Sequence, residues 1–198
     1  MSDKIVPEIP ETMPTMGNAF VRWFGRTLLR LQGWKFKGEL PREKKVMVVA
    51  APHTSNWDFV VGMAAIMSLG LQITFFMKKE AFFWPVAGLW KKLGGKPIDR
   101  SRAQDVSAQQ VAEFERNEKI WVAITPEGTR SKVTRWKSGF VRIAHAANVP
   151  ILVVGFNATT KEVVLDKVVP ATDDFEGQAE ELRQYTNQIF VGIRPENQ

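Results

Sequence analysis

The sequence predicts an α/β fold: a largely parallel or mixed sheet flanked by helices and preceded by an N-terminal amphipathic helix. Three observations predict it. Short strand-like runs recur along the chain with helix-like stretches between most of them, the order that builds a largely parallel sheet. The run KVMVVAA is almost continuously apolar, as a strand covered on both faces is. The chain has 198 residues, 44% of them hydrophobic, enough for one domain with a core of its own.

Residues 1–16 carry Pro7, Pro10 and Pro14 without periodicity and predict an extended arm. Residues 17–33 follow as a helix. Phe20, Trp23, Phe24, Thr27, Leu28 and Leu31 fall on one side, and Arg22, Arg26 and Arg30 form a stripe on another. A basic amphipathic helix with aromatics on its apolar side is the pattern of a helix lying in a lipid interface. WKFKGEL then alternates like a half-exposed strand. After KVMVVAA, Ser55 or Asn56 caps a helix running to about Leu69. Strands are expected at 73–77, 96–99, 119–125, 150–156 and 162–168, and helices at 80–93, 103–117, 138–147 and 175–190. The uncharged run from Phe59 to Met77 approaches spanning length. Gly70, Gln72 and Thr74 interrupt it, and its two halves differ in character, so it reads as a helix and a strand.

Composition narrows the partners. The net charge is +6, and residues 22–45 alone hold +6, whereas 161–181 hold seven acids against two lysines. This asymmetry predicts a basic face for an anionic partner. Seven Trp and thirteen Phe against one Tyr fit either an aromatic core or a surface that meets lipid. The absence of cysteine removes disulfides, thiolate metal sites and a thiol nucleophile. It fits a reducing, cytoplasmic setting. The opening MSDKIVPEIP has no basic-then-apolar pattern of a secretory signal.

Three stretches, each just beyond a predicted strand, carry candidate chemistry; in α/β folds, sites gather at the carboxyl ends of strands. The first is PHTSNWDFV, with His53 five positions before Asp58. On one helix these two would point about 140° apart. They meet if His53 sits in the loop before the helix and Asp58 in its first turn, where the helix dipole also favours a carboxylate. A carboxylate on one imidazole nitrogen fixes the tautomer and leaves the other to accept a proton. The result is half of a triad, lacking a nucleophile of its own; a substrate hydroxyl can supply one. The second stretch is TPEGTRS, 125–131. Gly128 permits a tight turn, Thr129 and Ser131 offer donors, and Arg130 can grip a phosphate. Glu127 fits an anion site only if it binds a hydroxyl or holds the arginine. The third is GGKPIDRS, 94–101, with Arg100 as a second anion ligand braced by Asp99. Lys137 is a further anion-binding candidate. His145, among small apolar residues in a predicted helix, reads as structural.

In combination and in this order, these stretches resemble the glycerolipid acyltransferase family, of which the 1-acylglycerol-3-phosphate acyltransferases (lysophospholipid acyltransferases) are best known. The family's His-x4-Asp block corresponds to His53 and Asp58. Its Ile-Asp-Arg block corresponds to Ile98, Asp99 and Arg100. Its Pro-Glu-Gly-Thr-Arg block corresponds to Pro126–Arg130, and its proline-centred apolar block to Val149, Pro150 and Ile151. The matches span about 43–157. Pro52, Pro97 and Thr125 depart from the usual residues beside these blocks.

The resemblance implies that residues 34–198 form an acyltransferase domain, with 17–33 as its membrane-surface helix. It implies His53 as general base and Asp58 as its partner. Arg100, Glu127, Gly128, Thr129 and Arg130 would bind the acceptor, with Asp99 and Lys137 as secondary candidates. The acceptor would be a lyso-glycerolipid such as 1-acylglycerol-3-phosphate, or alternatively an aminolipid or glycolipid. The donor would be acyl-CoA or acyl carrier protein, with no cofactor or metal. The protein would sit peripherally on the cytoplasmic face of an anionic membrane. Two other readings of the residues remain open: a metal-dependent hydrolase using His53, Asp58 and Glu127, and a non-catalytic anionic-lipid-binding module. No nucleic-acid-binding motif occurs.

Overall fold

The computed structural model describes residues 6–85, 87–98 and 103–198. Strands β1 (Lys35–Gly38), β2 (Lys45–Ala50), β3 (Ile73–Lys78), β4 (Gly95–Ile98), β5 (Ile120–Ile124), β6 (Ile151–Asn157) and β7 (Glu162–Val169) form one sheet. Their order is β1-β7-β6-β2-β5-β3-β4. The pairings are parallel except β6 with β7, which run antiparallel. The helices are α1 (Ala19–Leu31), α2 (Asn56–Leu69), α3 (Ala87–Lys92), α4 (Ala103–Arg116), α5 (Gly139–Ala146) and α6 (Phe175–Ile189). The expected mixed sheet with flanking helices and a leading helix is therefore present.

Alternation along each strand divides the core. Met47 and Val49 of β2, Val122 of β5 and Ile151 and Val153 of β6 point to one face, against Phe114 of α4, Phe140 of α5 and Leu182 of α6. Val46 and Val48, Trp121 and Leu152 point to the other. There they meet Leu69 at the end of α2 and Met13 of the N-terminal arm. The arm is tied down where Gln72 N–H donates to the Pro14 carbonyl and Met16 N–H to the Gly70 carbonyl, both at 2.8 Å.

Helix α1 lies on α2 through a narrow strip, Gly25 and Leu29, both buried. A Cβ on Gly25 would stand 2.5 Å from the Ser68 backbone nitrogen, so only glycine lets the two backbones approach this closely. Arg26 Nε donates to the Ser68 carbonyl at 3.2 Å. The aromatic side predicted to meet lipid faces outward: Phe20, Trp23, Phe24 and Leu31 are exposed. Thr27 and Leu28 are the exceptions, both half-buried, with Leu28 packed against the core.

One expected element is corrected. The helix expected at 80–93 is confined to Ala87–Lys92, after a single 3₁₀ turn at Lys79–Ala81. Pro85 lies within the expected span; it lacks a backbone donor and clashes with the preceding turn, so a continuous helix cannot pass through it.

Candidate active site

Strands β2, β5, β3 and β4 run parallel, so their carboxyl ends lie along one edge of the sheet. The register pairs Val49 with Ile124, Phe75 with Ala123 and Lys78 with Ile98. His53 follows β2 there, and Pro126–Arg130 follow β5. Asp99 and Arg100 lie outside the described residues; Ile98 before them is buried at the end of β4.

The loop between β2 and α2 brings the histidine onto the aspartate. Ser55 caps α2, accepting from Trp57 N–H at 3.1 Å, and Asp58 completes a capping box. Asp58 Oδ2 accepts from Thr54 N–H at 2.5 Å and Ser55 N–H at 2.6 Å, and Oδ1 from the Ser55 hydroxyl at 3.2 Å. These donors pin the carboxylate in a buried position. His53 Nδ1 stands 3.3 Å from Asp58 Oδ2. This is within ion-pair reach and long for a hydrogen bond, as a base–orienter contact often is before substrate binds. Asp58 is only 2% exposed by side chain, whereas His53 is 21% exposed, so one end of the pair is fixed and the other open.

The turn after β5 closes on the same loop. Gly128 has φ +65°, and its N–H donates to the Thr125 carbonyl at 3.1 Å. Lys137 N–H donates to the Pro126 carbonyl at 3.3 Å, bringing Lys137 over the turn; a Cβ on Gly128 would lie 3.6 Å from its Nζ. Thr129, Arg130 and Lys137 are exposed. Arg130 and Lys137 form a cationic rim, with the Thr129 hydroxyl beside Arg130 in the chain, that an anionic ligand can reach. His145 is on α5, its ring edge-on to Phe175 with 5.6 Å between centroids.

Glu127 has a partner that spacing did not reveal. Its Oε1 accepts from the His53 backbone N–H at 3.2 Å, linking the β5 turn to the His53 loop. Its Oε2 is buried and has no hydrogen-bond partner among the described residues. Burial therefore holds this carboxyl above its ordinary value of 4.5, against the smaller opposing pull of the backbone donors. A carboxyl whose pKa rises on folding favours the fold while protonated, and that advantage disappears as pH rises through the folded-state value. Gln at this position keeps the acceptor for His53 N–H but cannot ionise. The stability of Glu127→Gln relative to wild type should accordingly rise from about pH 4 to about pH 8. Thermal melts across that range check this, and a pH-independent difference would refute it.

Two comparisons with known proteins bear on the family and the fold. A family model described as Acyltransferase matches residues 34–157. The fold is similar to the crystal structure of a 1-acyl-sn-glycerophosphate (LPA) acyltransferase, PlsC, from Thermotoga maritima, with a TM-score of 0.63. That match covers 84% of this chain and 75% of that one at 18% identity. Among curated proteins there is no match. The family match takes in β1 to β6 together with the His53–Asp58 loop and the 126–130 turn, well over half of the chain, and the chain therefore belongs to the acyltransferase family.

Proposed function

We propose that this acyltransferase moves a fatty acyl group from an acyl thioester, on coenzyme A or acyl carrier protein, to the hydroxyl of a lyso-glycerolipid such as 1-acylglycerol-3-phosphate. The observation that carries the reading is the His53–Asp58 pair: a buried, fully anchored carboxylate 3.3 Å from a part-exposed imidazole. The imidazole takes the proton of the acceptor hydroxyl. The oxygen attacks the thioester carbonyl, a C–O bond forms, the C–S bond breaks, and the proton passes from the imidazolium to the departing sulfur. Asp58 holds the ring and balances its transient charge. Arg130 and Lys137, on the exposed rim, hold the acceptor's phosphate, and Arg100, braced by Asp99, is assigned the same task by its place in the sequence. Glu127 acts on the acceptor side by fixing the His53 backbone.

Peripheral attachment to an anionic membrane belongs to the same reading. The first turn of α2, next to His53, exposes Trp57, Phe59 and Val60. Nearer its carboxyl end α2 carries α1, whose aromatics point outward. Phe59 also sits edge-on to Trp90 of α3 with centroids 5.8 Å apart, and Phe83 and Trp84, in the segment before α3, are exposed. Exposed aromatics of α2 therefore lie in the helix that follows His53, where a lyso-lipid headgroup would present its hydroxyl. Among the described residues no helix is long and apolar enough to cross a membrane.

The test is a panel of lyso-lipid acceptors incubated with a labelled acyl thioester, on coenzyme A and on acyl carrier protein in parallel, read by mass spectrometry. A labelled diacyl product from a lyso-glycerolipid is expected. Product only from aminolipid or glycolipid acceptors would move the assignment to those lipids, and no transfer to any acceptor would sink it.

A further inference from the structure

We infer that the C-terminal segment 191–198, beyond the part of the chain that matches the family, clamps the His53 loop, with Asn197 as its positioning residue. The inference rests on the proposed role of His53, because it concerns what holds that ring in place.

The hydrogen bonds around Thr54 carry the argument. This residue is 1% exposed. Its N–H goes to Asp58. Its hydroxyl oxygen accepts from Arg194 N–H at 3.1 Å, and its carbonyl from Asn197 Nδ2 at 2.9 Å, across 143 residues of sequence. Gly192 presses on the same side chain; a Cβ there would stand 2.5 Å from Thr54 Cγ2. The clamp is itself tied down. Val191 N–H donates to the Phe156 carbonyl at 3.1 Å, Gln198 Oε1 accepts from Gly192 N–H and Gln198 Nε2 donates to the Phe190 carbonyl, both at 2.9 Å.

Successive peptide planes show what this achieves. The plane entering His53 is held by Glu127, and the plane leaving it by Asp58. The next plane, Thr54–Ser55, is held at both edges: its N–H by Asp58 and its carbonyl by Asn197. A planar peptide fixed at both edges cannot rotate without breaking one of the bonds. Without Asn197, one edge is free, and the loop that sets the imidazole against Asp58 gains a degree of freedom. Binding of acceptor or donor does not pass through this contact, so the loss should fall on turnover.

The test uses the full chain with Asn197→Ala, which removes the donor, and Asn197→Asp, which keeps the size and sets a carboxylate against a carbonyl. Expected are a three- to tenfold fall in kcat for Asn197→Ala, about the effect of one lost hydrogen bond, an equal or larger fall for Asn197→Asp, and an unchanged acceptor KM. The chain has two histidines, so ¹⁵N-histidine labelling yields two ring spectra, and His145 on α5 is an internal control. The His53 ring resonances should move in both variants while those of His145 stay. His53 resonances at their wild-type positions, or a rise in KM with kcat unchanged, overturn the clamp. Moved His53 resonances in a protein whose wild type transfers no acyl group would instead uphold the clamp and sink the proposed function.

Discussion

Replacing His53 with alanine should lower acyl transfer about 10²–10⁴-fold, the range for loss of a positioned general base, and leave the melting temperature close to that of wild type. The side chain is part-exposed, belongs to none of the hydrophobic clusters and has Asp58 as its described ion-pair partner. Little of the fold depends on it. Asp58 differs. It accepts from two backbone N–H groups and a hydroxyl in a buried setting, so Asp58→Ala strands donors that water cannot reach. A loss of about 1–3 kcal/mol of stability is expected for each donor left unpaired, on top of lost activity. Melting and transfer measured side by side separate the two roles. Wild-type turnover by His53→Ala would end the general-base assignment, whatever Asp58 variants do.

This division between base and anchor explains which parts of the site were legible in the sequence. A histidine five residues before an aspartate works only across a loop–helix junction, and Ser55 marks that junction, so the geometry followed from local rules. The partner of Glu127 did not, because a carboxylate accepting a backbone N–H from 74 residues away leaves no pattern in spacing. Thr54 is harder still, since its partners lie some 140 residues downstream. The strands were readable as apolar runs, but their order in the sheet is set by which faces the helices cover. The antiparallel β6–β7 pair was within reach: only Ala158–Lys161 separate the two strands, too few residues for a parallel crossover. Pro85 marks the break in the expected helix at 80–93, and the apolar pattern around it masks that break.

Substituting Phe20, Trp23 and Phe24 together with alanine should reduce binding to anionic vesicles by at least about 10²-fold, taking about 1 kcal/mol for each partly inserted ring. The fold should be unaffected, because α1 packs through Gly25 and Leu29 while these rings touch one another, Phe20 lying 5.7 Å from Trp23 and 6.4 Å from Phe24. Deleting the whole N-terminus would be a poorer test. Met13 and Leu29 are buried in the core, so truncation would expose apolar surface and confound vesicle binding with misfolding. The triple variant avoids this and yields a second comparison. Turnover of a detergent-dispersed acceptor should persist, because His53 lies on a different element, while turnover of acceptor embedded in vesicles should fall with binding. Sedimentation with vesicles in low and high salt measures both contributions, since the basic residues of segment 22–45 add a salt-sensitive attraction that the aromatic rings do not. Unchanged sedimentation would assign the outward face of α1 to something other than lipid. A loss equal for vesicle-borne and dispersed acceptor would show that these rings support the acyltransferase domain itself.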